Sequence, residues 1–314
     1  MRECVFIDGV RTPNGRAHRE KGWFRHLRPD ELLTPVYNAL FERNSKITPD
    51  MLDAVFVGCA NPSGMQNDIG RLAWLASGFP DSVPTNTLTN QCPSGMSATM
   101  HAARAIMTGE ADIIIAAGVE DMEKVPMGAN MDFPPRLLKF YNGADLLMGP
   151  TAEKVAEMWK IAREDMENMA IWSNKKAWEA TIAGKFKNEI VPIKGLDDNG
   201  NEFMVDRDQW IREKIEPEKM KTMISPFKPN GVVTAATSSP LTQGACALLL
   251  MSREKADTLG LSYKYKYSYG VLAGCDPTIM GIGPIPAIKK LVAGKKLNLE
   301  EVGAIELNEA FASQ

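Results

Sequence analysis

Apolar and polar positions follow two alternating periods along the first third of the chain. Cys4 to Asp8 is a short apolar run that predicts a strand, and a Pro/Gly turn follows it. Asp30 to Asn44 sets Leu32, Leu33, Val36 and Leu40 near helical spacing and predicts a helix. Ala54 to Gly58 predicts a short strand, and Asn67 to Ser77 a second helix. Thr and Leu alternate with polar residues from Thr85 to Thr89, which predicts a strand. After Cys92 the chain is rich in Ala and Met up to Gly109 and predicts a helix. Ala111 to Gly118 reads as a strand buried on both faces. Strands alternating with helices predict an α/β layered domain.

From Val119 to about Ser238 the pattern turns charged and irregular, and this stretch holds ten of the eighteen methionines. Glu153 to Trp159 and Glu164 to Lys185 read as helices. Lys187 to Trp210 is acidic, with Asp197-Asp198-Asn199-Gly200 as a turn. Gly244 to Met251 is again fully apolar and predicts a strand that rejoins the first domain. Beyond about Tyr263, a strand over Tyr265 to Leu272, a helix over Pro286 to Val292 and a strand over Val302 to Leu307 are expected. No internal repeat is visible in the letters.

Composition narrows the class of function. A chain of 314 residues can bury more than one core. A net charge of −3 gives no reason to expect nucleic acid or an anionic membrane as partner. No apolar run is long enough to span a bilayer. The start of the chain lacks the long apolar core of a signal peptide. The five cysteines are scattered, odd in number and without metal-type spacing, which points to a reducing cytoplasm and to no metal.

Cys92 stands where the strand gives way to the helix. A thiol there lies near unpaired N–H groups of a first helical turn, whose dipole favours thiolate. Pro93 suits the first helical position, and Ser94 and Gly95 keep the surroundings small. On these residues alone Cys92 is either a nucleophile or a buried structural thiol.

The stretch Asn90-Gln91-Cys92-Pro93-Ser94-Gly95-Met96 resembles the nucleophile motif of the thiolase family. The resemblance continues at Arg11-Thr12-Pro13-Asn14-Gly15-Arg16, Gly118-Val119-Glu120-Asp121-Met122 and Met148-Gly149-Pro150-Thr151-Ala152-Glu153. It resumes at Val233-Thr234-Ala235-Ala236-Thr237-Ser238-Ser239 and at Asn308-Glu309-Ala310-Phe311, in family order over essentially the whole chain. It implies an α/β fold with α-β-α-β-α layers, built from two related α/β units of which the second is incomplete here. Residues 1–118, completed by 239–262, match the N-terminal domain. Residues 119–238 match a loop domain that covers the active site and coenzyme A. Residues 263–314 match the start of a C-terminal domain.

The resemblance implies thiolytic cleavage of 3-ketoacyl-CoA to acetyl-CoA and a shortened acyl-CoA, with Cys92 carrying the acyl group. Asn308 would hold an oxyanion-hole water. Met148, Phe227, Ala235 and Ser239 would contact the thioester and coenzyme A. Alone, Asn308 would be a loop residue capping a backbone group, and Ser239 an ordinary turn serine. No cofactor is expected to be bound permanently, because coenzyme A is a substrate. A homo-oligomer, dimer or tetramer, is implied, with a β-oxidation subunit or a complementing C-terminal chain as further partners. The family's Gly-His-Pro and Cys-x-Gly motifs lie beyond the residue matching Gln314. His101, nine residues after Cys92 on the expected helix, falls on the opposite face, roughly 13 Å along the axis. Pro93 and Ala236 stand where the family usually has Gly, and Gln243 where it has Asp. The Val119–Met127 and Cys275 segments resemble the fatty-acid-degrading branch. The alternatives are a biosynthetic acetoacetyl-CoA thiolase and a catalytically incomplete acyl-CoA-binding remnant. A ketoacyl synthase is disfavoured by the long insertion and by the absence of paired histidines.

Overall fold

The computed structural model describes residues 1–295 and 297–314. In chain order its main elements are β1 (Cys4–Arg11), β2 (Gly15–Arg16), α1 (Pro29–Arg43), β3 (Ala54–Gly58), α2 (Ile69–Ala76), β4 (Thr85–Leu88), α3 (Ser94–Thr108) and β5 (Ile113–Asp121). There follow α4 (Met148–Trp159), α5 (Arg163–Ile182), β6 (Ile193–Leu196), β7 (Glu202–Val205), α6 (Pro217–Lys221), β8 (Thr242–Ser252), α7 (Arg253–Leu259), β9 (Tyr265–Lys266) and α8 (Pro284–Lys295). The residues gather into two units: 1–130 with 181–210 and 241–268, and 131–180 with 211–240 and 269–314. The stretch 119–238 contributes to both.

The first unit is built on a mixed sheet in the order β4-β3-β5-β8-β1-β9, with β2 also paired to β8. β3 runs parallel to β4 and β5, and β8 runs antiparallel to β5 and β1. Because side chains alternate along a strand, β5 sends Ile113 and Ile115 to one face and Ile114 and Ala116 to the other. All four are buried, as expected for this strand. Leu32, Leu33, Val36 and Leu40 of α1 and Trp74 of α2 cover the first face. Ala102, Ala103 and Ile106 of α3 cover the second, which gives helix, sheet and helix layers. Local signals set the helix ends. Pro29 opens α1 while Glu31 accepts the Arg28 N–H at 2.7 Å. Gly109 closes α3 in the left-handed region at φ +86°. The expected Asp197 turn joins β6 to β7, and its carboxyl is held below the usual range chiefly by the Asn201 backbone N–H.

In the second unit α4 and α5 contribute Ala152, Ala156 and Met166 to a small core with Val233. Two expected strands differ here from their sequence reading. Over Tyr265 to Leu272 only Tyr265 and Lys266 join a ladder, opposite Phe6 and Val5. Val302 to Leu307 forms no strand among the described residues, and Ile305 and Leu307 are exposed. Alternating apolar residues supply a face, but a strand also needs a neighbour for its N–H and C=O groups. The first segment follows β1 only until the Tyr267 N–H donates to the Cys4 carbonyl at 2.8 Å, and the second joins no ladder among the described residues. No described helix is long and apolar enough to cross a membrane.

Candidate active site

Residues 89–93 connect β4 to α3, and Cys92 is exposed at the end of this turn. The turn is held from inside. Ser94 Oγ donates to the Gln91 carbonyl at 2.5 Å and accepts the Asn90 N–H at 2.8 Å. Asn90 Nδ2 donates to Ser97 Oγ at 3.2 Å. Gln91 takes a left-handed conformation at φ +54°, uncommon for a residue with a side chain and sustained here by this network. Pro93 does not occupy the first helical position as expected. It is the N-cap, because its carbonyl accepts the first helical bond, from Ser97 N–H at 2.8 Å.

The start of α3 lies directly on β3. A Cβ added to Gly58 would fall 2.3 Å from the Gly95 nitrogen and the Ser94 carbonyl carbon. Only a glycine lets the two backbones approach so closely. At Gly118, its partner on β5, the same addition would meet Cys246 Sγ at 3.5 Å, an ordinary contact. The two buried thiols are quiet: burial pushes Cys4 and Cys59 up to about 12. His18 Nδ1 is engaged by the Glu20 and Lys21 N–H groups, a turn-forming role.

Several motif residues of this unit prove to be structural. Arg11 forks onto Asp208 at 2.8 and 3.0 Å and reaches Glu189 at 2.8 Å, tying β1 to the segment carrying β6 and β7. Gln243 Nε2 donates to Asp121 Oδ1 at 2.9 Å, with both residues fully buried. The glutamine follows from its neighbour, since two buried carboxylates at this distance would repel each other.

Met148, Phe227, Ala235, Ser239 and Asn308 all belong to the second unit, whereas Cys92 belongs to the first. Met148 opens α4. Beside it the Phe227 ring occupies the space over Gly149, where a Cβ would lie 2.0 Å from the ring. The same ring meets Phe311 edge to face, with centroids 5.9 Å apart. Phe311 bridges to Ser238, Ser239 N–H donates to the Ala310 carbonyl at 2.8 Å, and Ala312 N–H to the Thr237 carbonyl at 2.9 Å. These bonds lay residues 237–239 alongside 310–312, with exposed Asn308 at one end and exposed Ala235 in the turn before the other. Sequence reasoning missed Asn90 and Ser94, which brace the Cys92 turn, and Glu153, which binds the loop bearing Phe227. The signal for Glu153 was available: it sits in the apolar stripe Gly149, Ala152, Glu153, Ala156 of α4, all buried.

The chain matches the family models for the thiolase N-terminal domain over residues 4–254 and the thiolase C-terminal domain over residues 263–314. It is 43% identical over 315 residues to a 3-ketoacyl-CoA thiolase of Marinobacter nauticus, covering all of this chain and 80% of that one. To the enzyme of the same name from Aliivibrio fischeri it is 41% identical over 316 residues, covering 81% of that protein. The fold is similar to a solved acetyl-CoA acetyltransferase of Bacillus anthracis, with TM-score 0.88 and 33% identity, over all of this chain and 81% of that one. It is also similar to human mitochondrial 3-ketoacyl-CoA thiolase, with TM-score 0.87 and 26% identity, over 99% of this chain and 81% of that one.

Proposed function

The chain belongs to the thiolase family, and from that premise we propose that it is an acetyl-CoA acyltransferase that cleaves 3-ketoacyl-CoA in fatty-acid β-oxidation. The observation that carries this reading is the braced turn presenting an exposed Cys92 at the start of α3. The Cys92 thiolate attacks the 3-keto carbon, and the tetrahedral oxyanion is held by directed N–H donors. The bond between C2 and C3 breaks, acetyl-CoA departs as an enolate and takes up a proton, and the acyl group stays on sulfur. Attack by the thiol of coenzyme A then releases the shortened acyl-CoA and restores Cys92. Asn308 holds a water that serves an oxyanion. Met148, Phe227 and Ala235, on a loop domain drawn from residues 119–238, and Ser239 directly after it hold the thioester and the coenzyme A arm.

None of the three histidines stands in a Gly-His-Pro motif. The reading therefore takes the acid/base groups from polypeptide outside these 314 residues, whether a covalent extension or a complementing chain. Loss of a positioned acid or base costs about 10²–10⁴-fold in rate. A cytoplasmic homo-oligomer completes the proposal, supported by the outer edge of β4, which has no partner strand among the described residues.

Two assays on the purified 314-residue chain test this. Incubation with an acyl-CoA should add one acyl mass, mapped to Cys92 and abolished by Cys92→Ala. Steady-state cleavage should appear only when a fragment bearing Gly-His-Pro and Cys-x-Gly is added. Acylation elsewhere would overturn the nucleophile. Cleavage by the chain alone, abolished by Cys92→Ala, would overturn the need for an outside acid/base pair.

A further inference from the structure

Glu153 is the least explained charged group of the second unit. It lies on the buried face of α4, only 4% exposed. Among the described residues no basic side chain pairs with it. Its carboxylate instead gathers neutral donors from one loop. Oε1 accepts Ser225 Oγ at 2.7 Å and the Val233 N–H at 2.9 Å, and Oε2 accepts the Val232 N–H at 3.0 Å. Gly231 leaves room for it, since a Cβ there would lie 2.2 Å from Oε1. Such a charge taken out of water persists where several hydrogen bonds converge on it.

The bonds continue to Phe227. Ser225 Oγ, while donating to Glu153, accepts the Phe227 N–H at 3.2 Å. The chain from Glu153 through Ser225 thus fixes the backbone of Phe227, and its ring rests on Gly149, one turn before Glu153 on the same helix. One carboxylate therefore anchors a loop at both ends: residues 225–227 by a hydroxyl and residues 232–233 by two amides. A glutamine of the same length could not replace it. Its one oxygen, at the Oε1 place, would keep Ser225 and Val233, but its NH2 would stand at the Oε2 place and set donor against donor at the Val232 N–H, prying that end of the loop from α4.

We propose that Glu153 is a positioning residue for coenzyme A: through Ser225 and the Val232 and Val233 amides it sets the Phe227 ring against α4, and so governs coenzyme A affinity without touching the ligand. This rests on the reading of Phe227 as a coenzyme A contact.

The test compares the 314-residue chain with Glu153→Gln and Ser225→Ala. The dissociation constant of coenzyme A is measured by calorimetry at a temperature where each variant is folded. Alongside it, acylation of Cys92 is timed with an S-acyl-N-acetylcysteamine, a thioester lacking the nucleotide arm. In Glu153→Gln the constant should rise about tenfold, and less in Ser225→Ala, with the acylation rate unchanged within about twofold. A merely structural role would slow acylation as much as it weakens binding, and that parallel loss would overturn the proposal. Unchanged affinity in Ser225→Ala would also overturn it, even if Glu153→Gln fails to fold. No binding of coenzyme A by the unaltered chain would refute the ligand assignment itself and the inference with it, whereas tight binding indifferent to both substitutions would refute the inference alone.

Discussion

Gly58→Ala is the sharpest single test of how the Cys92 turn is held. The added methyl would lie 2.3 Å from both Gly95 nitrogen and Ser94 carbonyl carbon, and 2.5 Å from the Ser94 oxygen. All three are backbone atoms, so no rotamer change relieves the clash. Reaching even a 3.0 Å separation requires α3 and β3 to part by about 0.7 Å. Overpacking of this kind costs about 1–3 kcal/mol, a melting-point drop of roughly 2–12 °C for a domain of this size. The clash falls on the backbone of Ser94, the residue whose Oγ braces Gln91 and Asn90, so the thiol moves with it. A misplacement near 1 Å costs on the order of 100-fold in a chemical step. Gly118→Ala is the internal control, because its methyl would meet only atoms at 3.5–3.7 Å. Thermal unfolding followed by circular dichroism, and acylation of Cys92 followed by intact mass, should fall together in Gly58→Ala. Both should hold in Gly118→Ala. A Gly58→Ala protein with unaltered melting and acylation, or equal losses in the two variants, would refute the reasoning.

Brief substoichiometric iodoacetamide at pH 8 should label Cys92 first, because it is exposed at a helix start while Cys4 and Cys59 are held near 12 by burial; peptide mapping that finds Cys246 or Cys275 labelled first would remove its special status. Stability should also fall at alkaline pH. The folded-state pKa of Cys4 and Cys59 is raised from 9.0 to about 12, so their contribution is complete below 9 and is lost as pH rises towards 12. The urea midpoint should drop between pH 8 and 10.5, and drop less in Cys59→Ala; an identical drop would assign the effect to other groups.

The two-faced strand β5, the helices α1 to α3 and the position of Cys92 were legible because periodicity and burial agree in that region. Pro93 was misplaced by one position, since propensity names the first turn but only the hydrogen bond to Ser97 decides the cap. The segment Val302–Leu307 has the letters of a strand, yet pairing depends on a neighbour the local pattern cannot supply. Met148, Phe227, Ala235, Ser239 and Asn308 were named by resemblance alone, because a single residue carries no period. Glu153 was legible in principle as a charge within an apolar stripe, and what it holds became visible only once the loop 225–233 was placed.

The register of the first sheet sets a timetable for synthesis. Cys4 sits opposite Ser252, and β8 is also the antiparallel neighbour of β5. While the ribosome works towards residue 252, β5 has β3 beside it, but β1 has no partner. At about 5–20 residues per second the earliest strand waits roughly 10–50 s for the latest. Through that interval its apolar residues and open amides are available to a chaperone or to another nascent chain, and a polypeptide stalled before β8 would carry the Cys92 turn on a sheet lacking its centre.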